Sequence, residues 1–464
     1  MISCILGAAV FWGLSVFNYR LGKSPAYPPL VFTAWWTFLF ILLGASSDRF
    51  HPISLESVGI FGLGGVLFTA GGLVAIARTA KIPRSPAGLS RKLSRTLHSP
   101  RRLHLTLTIT LITLAALLPL FYAYSKEFAK RLGPGGDSWW ARRGAGVASS
   151  YRIMTIGSFS LQDAFFGNLI VVAWALALIA YLESEERLFG RVRAYLYLAV
   201  ATIYGSLTAS SGIMLLFVQV AAVAIITGRR MKWQTVGSAA AVALSIFGAI
   251  AILVAKVSVR GRYGSGLTGR LLDIADLVRA YLVGSLVAFD RAPLQSASYP
   301  PWNMWMPLYI FARKLGYHVH VPPQHLHFTS IAPDSVINTY TMYYAYYPSY
   351  GVAGVVLVTF FLGVALVKVY MRALQGSRVA IAVSAVMTSG IIMSGFSEAF
   401  FMPMYQNLKI LAVVYGVYTI ASRGYRPRQA ALAKGVRAVG RIAAPARQLE
   451  FPVVPTERVR HFGR

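Results

Sequence analysis

The sequence predicts an all-α polytopic membrane protein, and three observations carry that prediction. Hydrophobic residues fill 56% of its 464 positions, above the roughly 45–50% of a soluble domain. They are gathered into runs close to the ~20 residues that cross a bilayer as a helix. The formal charge of +30, from 45 basic and 15 acidic residues, lies between those runs. A basic nucleic-acid-binding domain would instead need long polar, aromatic-bearing surfaces, so no nucleic-acid partner is expected. One cysteine, Cys4, excludes an intrachain disulfide framework and a cysteine-based metal site.

About eleven spans follow in order: 2–17, 28–46, 57–77, 104–124, 161–182, 194–208, 211–227, 236–256, 350–371, 379–396 and 405–421. The first lacks a charged leader region and a small-residue cleavage site, so it reads as a retained helix. The pair 194–208 and 211–227 is joined by "LTASSG", a tight turn or a break within one helix.

Lys and Arg in the short connections set orientation. Segment 78–103 carries eight basic residues and no acid, and the tail after Arg423 is similarly basic. Both are expected in the cytoplasm, which puts the N-terminus outside and the C-terminus inside. On this reading residues 1–425 form the membrane domain and 426–464 a basic tail suited to anionic lipid.

Two outer segments remain, 125–160 and 257–349. The second is too long to be a bare connection, which marks it as functional. Within it, Leu271, Ile274, Val278 and Tyr281 recur at helical spacing and predict a helix at the membrane surface, with Asp273 and Asp276 pointing elsewhere. "PLQSASYPPWNMWMPLYIF" supplies prolines and tryptophans suited to the interface. No internal repeat is visible, which disfavours an inverted-repeat transporter.

Positive charge on the translocated side runs against topology and asks for another reason. Arg142, Arg143 and Arg152 lie in the first outer segment, and Arg260, Arg262 and Arg270 open the second in "VRGRYGSGLTGR", followed by Arg279. Guanidinium forks bind phosphate bidentately, and glycines allow close approach of the backbone. A lipid-linked diphosphate is the natural ligand at that depth; pairing with lipid headgroups or with Asp273, Asp276 and Asp290 is the plainer alternative.

Acid–base candidates on this side are His325 and His327, Asp334, and Glu398 at a span end. The pairs His318/His320 and His325/His327 lack a carboxylate partner pattern, so no metal is expected. Walker, zinc-protease and Ser-His-Asp spacings do not occur.

The stretch "NTYTMYYAYYPSYGVAGVVLVTFFLG", residues 338–363, is the most specific in the chain. It resembles the oligosaccharide repeat-unit polymerases, the Wzy-type O-antigen and exopolysaccharide polymerases. Those share an Asn-x-Tyr-Thr-like start, tyrosines, an acid–aromatic–glycine step, a second glycine and a Leu-Gly helix. Asn338, Thr339, Tyr340, Thr341, Gly351, Gly354, Leu362 and Gly363 fit; Ser349 stands where the acid is usual. "RAYLVGSLVAFD", residues 279–290, is similar to the family's Tyr-x-x-Gly segment.

The resemblance implies a glycosyltransferase-C-like helical fold in the bacterial inner membrane, with a large, partly helical outer loop between the eighth and ninth spans. It implies polymerisation of undecaprenyl-diphosphate-linked oligosaccharides at the outer leaflet with inversion, without cofactor, alongside a chain-length regulator. Asp334, Glu398, His325 and His327 would then be catalytic. Arg260, Arg262, Arg270, Arg142, Arg143, Arg152 and Arg279 would hold the diphosphate. Asn338, Tyr340, Thr341, Tyr344 and Tyr281 would hold glycan, with Tyr346, Tyr347 and Tyr350 as anchors at the bilayer boundary. An O-antigen ligase-like transferase and a lipid-linked-oligosaccharide flippase are the alternatives.

Overall fold

The computed structural model describes residues 1–78, 101–132, 161–184, 188–207, 213–228, 267–292, 303–319, 329–333, 335–337, 339–397, 400 and 404–423. Met1–Tyr418 form one compact unit; of the second, Thr419–Arg464, only the end of the last helix is described.

The described residues are predominantly helical. In order come α1 (Ile2–Gly22), α2 (Pro28–Gly44), α3 (Leu55–Ala77), α4 (Arg101–Leu132), α5 (Leu161–Leu182), α6 (Leu188–Leu207) and α7 (Ile213–Ile226). There follow α8 (Leu267–Arg291), α9 (Met306–Lys314), strands β1 (Thr329–Ala332) and β2 (Ser335–Ile337), then α10 (Tyr347–Leu374), α11 (Arg378–Met393) and α12 (Met404–Arg423). Five helices among these residues are long and apolar enough to cross a membrane: Ile2–Gly22, Leu55–Ala77, Leu103–Glu127, Phe165–Leu182 and Tyr347–Leu374. Pro28–Gly44, Leu215–Ile226, Arg378–Met393 and Asn407–Ile420 are shorter apolar helices. The expected span at 236–256 and both basic segments lie outside the described residues.

Local chemistry sets the helix ends. Prolines 28 and 29 open α2, where their missing N–H groups cost nothing. Ser54 caps α3 by accepting a hydrogen bond from the Ser57 amide at 3.1 Å, with Glu56 in the positive first turn. Ser377 caps α11 in the same way through Ala380. Lys23 ends α1 in the left-handed region.

The central contact is α3 against α10. A Cβ at Gly71 would stand 2.1 Å from the Phe360 carbonyl oxygen, and one at Gly363 would stand 2.2 Å from that of Phe68. Bare glycines therefore let the two backbones touch, the small-residue packing typical of membrane helices. Around this seam Phe32 stacks on Phe68 at 4.5 Å, and Trp36 and Phe61 each meet Tyr343 at 5.4 Å. A polar thread crosses the apolar core, with buried Asn18 of α1 donating to Thr69 of α3 at 3.0 Å.

Helix ends sort into two faces. On the first, Arg49 pairs with Asp276, Asp290 accepts from the Ser54 amide, and Tyr347 donates to Glu56. On the second, Tyr27 meets Tyr370, Glu183 meets Arg378 and Tyr418, and Arg193 meets His104.

Three details differ from the sequence reading. The all-α expectation meets one antiparallel hairpin, in which Thr329 pairs with Ile337 and Ser330 with Val336. Helix α4 runs on to Leu132, past the expected boundary at 124, because Ser125–Leu132 continues its helical pattern. The expected surface helix exists as α8, but its second half is core: Val283, Leu286, Val287 and Phe289 are buried. Gly284 packs under Ile331 and Ile337, so β1 and β2 cover α8 and leave it no free surface to lie on there.

Candidate functional site

The tyrosine-rich segment reaches the core. Residues 339–341 run without regular structure, Met342–Ala345 form a 3-10 turn, and α10 starts at Tyr347. Gly351 then breaks the helix at φ +56°, ψ −148°, a conformation that strains any residue with a side chain. This is the physical use of the glycine in the Tyr-Gly step. Ser349, where the resemblance expects an acid, is half-buried in the short turn before that break.

Tyr340, Tyr343, Tyr344 and Tyr346 are all at most 3% exposed. The Tyr340 ring stacks on Tyr344 at 4.1 Å, and its hydroxyl shares a 2.6 Å hydrogen bond with Thr329 of β1. Tyr343 lies over Gly64 in the middle of α3, and its hydroxyl reaches the Phe61 carbonyl at 3.4 Å. Burial pushes its phenol well above the ordinary value, so it stays neutral. The boundary-anchor reading fits Tyr350, which is exposed, and not Tyr346, which is sealed in protein.

Opposite this segment α11 unwinds. The Met342 amide donates to the Ser394 carbonyl at 2.8 Å, and Trp36 Nε1 donates to Ser394 Oγ at 3.2 Å. Ser285 of α8 donates to the Gly395 carbonyl. Two irregular stretches, 339–342 and 394–397, thus meet and satisfy each other's main chain in part. Among the described residues, the buried hydroxyl oxygens of Thr339 and Thr341 and the indole nitrogen of Trp35 have no hydrogen-bond partner. Trp35 Nε1 lies 3.2 Å from where a Cβ of Gly395 would stand, which puts it at the same junction. Buried polar atoms left unpaired cost about 1–3 kcal/mol each, so such atoms mark places for a ligand or water.

Above this junction lies a charged cluster. Asp276 accepts from Arg49 and sits 3.5 Å from Arg279, so two guanidinium groups share one carboxylate. Asp48 also lies 4.0 Å from Arg49, so the cluster holds two guanidinium groups and two carboxylates, with Arg49 and Arg279 38% and 40% exposed. Either fork can engage an anion bidentately.

Of the sequence-predicted residues, the structure gathers Tyr340, Thr341 and Tyr344 into the buried segment. Arg279 and Tyr281 stand on α8, the latter 44% exposed, and Arg270 belongs to the first turn of that helix. Arg142, Arg143, Arg152, Arg260, Arg262, His325, His327, Asp334, Asn338 and Glu398 lie outside the described residues. Among the described residues no group of three or more His, Cys, Asp or Glu could hold a metal ion.

Arg49 and Trp35 escaped the sequence reading, and Thr339 entered it only as part of the motif at 338–363. Arg49 follows Asp48 in the short "SSDRFHP" and looks neutralised by it; yet their contact is 4.0 Å, and the tighter partner lies 227 residues away. Trp35 is hidden in a uniformly apolar helix. Comparison with protein-family models, with curated proteins and with solved structures finds no match for this chain.

Proposed function

We propose that the chain polymerises polyprenyl-diphosphate-linked oligosaccharides by glycosyl transfer at the outer leaflet of a bacterial inner membrane. On this reading it has eleven spans, its first face is outside and its C-terminus is cytoplasmic. The observation that supports it best is the buried 339–346 segment, an irregular stretch and one 3-10 turn, with the Thr339 and Thr341 hydroxyls unpaired among the described residues. In a membrane protein, irregular backbone at depth survives only where protein or a polar cavity shelters it. Its usual use is to line a site.

The chemistry balances without a cofactor. A hydroxyl of one repeat unit attacks the anomeric carbon of the growing chain, and the bond from that carbon to the diphosphate oxygen breaks. The acceptor proton passes to a base, for which Asp334, Glu398, His325 and His327 are the candidates. Negative charge collects on the departing diphosphate, where arginines already in place lower the barrier. Arg49 and Arg279 join Arg260, Arg262, Arg270, Arg142, Arg143 and Arg152 as candidates for that role. Threonine hydroxyls and the Trp35 indole supply neutral partners for sugar hydroxyls, and two bound substrates supply proximity.

The test is reconstitution with one lipid-diphosphate oligosaccharide and no nucleotide sugar. A ladder of longer products is expected. Unchanged substrate in an assay where the same preparation moves the lipid across the bilayer would replace this reading with a flippase. Transfer of intact glycan to a different acceptor would replace it with a ligase.

A further inference from the structure

Helix α9 carries an apolar stripe that no described part of the protein covers. Leu308, Phe311 and Leu315 follow at i, i+3 and i+7, the spacing of one helix side, and are 50%, 61% and 61% exposed. Arg313 is exposed too. It is two residues from Leu315 and so on nearly the opposite side of a 3.6-residue turn. A nine-residue helix is too short to hold its own shape in water. Three bulky apolar side chains in water would weaken it further.

The level of α9 in the fold is fixed at its start. Trp305 Nε1 donates to the Tyr350 hydroxyl at 2.7 Å. Tyr350 belongs to the first turn of α10, the 28-residue apolar helix Tyr347–Leu374. Beyond the Gly351 break, Leu357 and Phe361 are exposed one turn apart on α10. The Trp305–Tyr350 bond ties the start of α9 to the chain just before that break. Trp and Tyr with a shared hydrogen bond at the end of an apolar span are characteristic of the headgroup level.

We infer that α9 lies in the plane of the bilayer surface, in the leaflet where α10 begins, with phospholipid acyl chains packed on Leu308, Phe311 and Leu315. Arg313 faces headgroup phosphates and water. The geometry is that of an interfacial amphipathic helix, tied through Trp305 and Tyr350 to the chain just before the Gly351 break. Lipid packing therefore bears on the position of the tyrosine-rich segment. The inference rests on membrane embedding alone and stands whether or not the protein transfers glycans.

The chain's single cysteine, Cys4, is buried, so a Cys4→Ser background permits site-directed spin labelling. Leu308→Cys, Phe311→Cys, Leu315→Cys and Arg313→Cys would each be labelled with a nitroxide in phosphatidylcholine–phosphatidylglycerol nanodiscs. The expected result is several-fold greater collision with oxygen than with a water-soluble nickel chelate at 308, 311 and 315, and the reverse at 313. Equal nickel access at all four sites would put α9 in water and overturn the inference. Shielding of 308, 311 and 315 from both reagents would put protein, such as a second copy, on that side and overturn it equally.

Discussion

Replacing Gly363 by alanine adds one methyl group where the neighbour is main chain. Its Cβ would stand 2.2 Å from the Phe68 carbonyl oxygen and 3.0 Å from the carbonyl carbon. A carbon and a carbonyl oxygen settle at about 3.3–3.6 Å, so α3 and α10 must move apart by about 1 Å at that point. No side-chain rotation relieves the overlap, because the obstacle is backbone within a helix. A gap of about 1 Å forfeits a quarter to a half of each dispersion contact along the seam, and overpacking of this kind costs roughly 1–3 kcal/mol. The upper end applies here, since Gly71 makes the reciprocal contact and cannot yield in compensation. Gly13→Ala is the matched control, with nothing within 4 Å of the new methyl. Exchanging glycine for alanine in an open helical position gains up to about 1 kcal/mol of helix propensity. Gly363→Ala carries the same propensity gain, so the two variants should differ by the overpacking cost, about 3 kcal/mol. Thermal unfolding in detergent, followed by size exclusion, reads the difference as a marked fall in midpoint for Gly363→Ala and none for Gly13→Ala. Equal midpoints would refute the claim that the α3–α10 backbone contact organises the fold.

Two further predictions concern side chains. Glu183 is 4% and Arg378 18% exposed in their 3.2 Å pair, and Tyr418 donates to the same carboxylate at 2.8 Å. Glu183→Ala should cost about 3 kcal/mol by stranding a buried guanidinium, while Glu183→Met with Arg378→Met should cost less; the same unfolding assay compares them, and a double variant worse than the single contradicts the reasoning. Tyr343→Phe removes a hydroxyl whose bond to the Phe61 carbonyl is long, 3.4 Å, and should cost under about 1 kcal/mol. Tyr343→Ala should cost about 3–5 kcal/mol, and a phenylalanine variant as unstable as the alanine one would show that the hydroxyl, not the ring, secures the turn.

Most of the helices could be read from the sequence because a spanning helix announces itself through continuous apolarity. The starts of α2, α3 and α11 were legible for a second reason, since proline and serine caps have local causes. The hairpin was not legible. Its strands have four and three residues, and they form because Gly284 of α8 offers a flat place for Ile331 and Ile337. That cause is 47 or more residues away and leaves no local pattern.

The tyrosine-rich segment was legible as unusual and illegible as to place, for one physical reason. A phenol is half apolar and half polar, so the same residues suit a headgroup boundary and a buried aromatic cluster. Tertiary contact separates the two: Tyr350 meets Trp305 and stays exposed, while Tyr346, four residues earlier, is sealed against Tyr343. The polar Asn-Thr-Tyr-Thr start then has a structural meaning. Were 339–342 merely an entry to α10, helix caps would have absorbed its hydroxyls. Instead Met342 is bonded to unwound Ser394, and the Thr339 and Thr341 hydroxyls are left unpaired among the described residues. Each buried hydroxyl left unpaired where the two breaks in regular structure meet costs about 1–3 kcal/mol. Under the glycan transfer proposed above, a hydroxyl-rich ligand at those hydroxyls would offset that cost, which is why the proposal centres on this junction and not on the exposed aromatic rim.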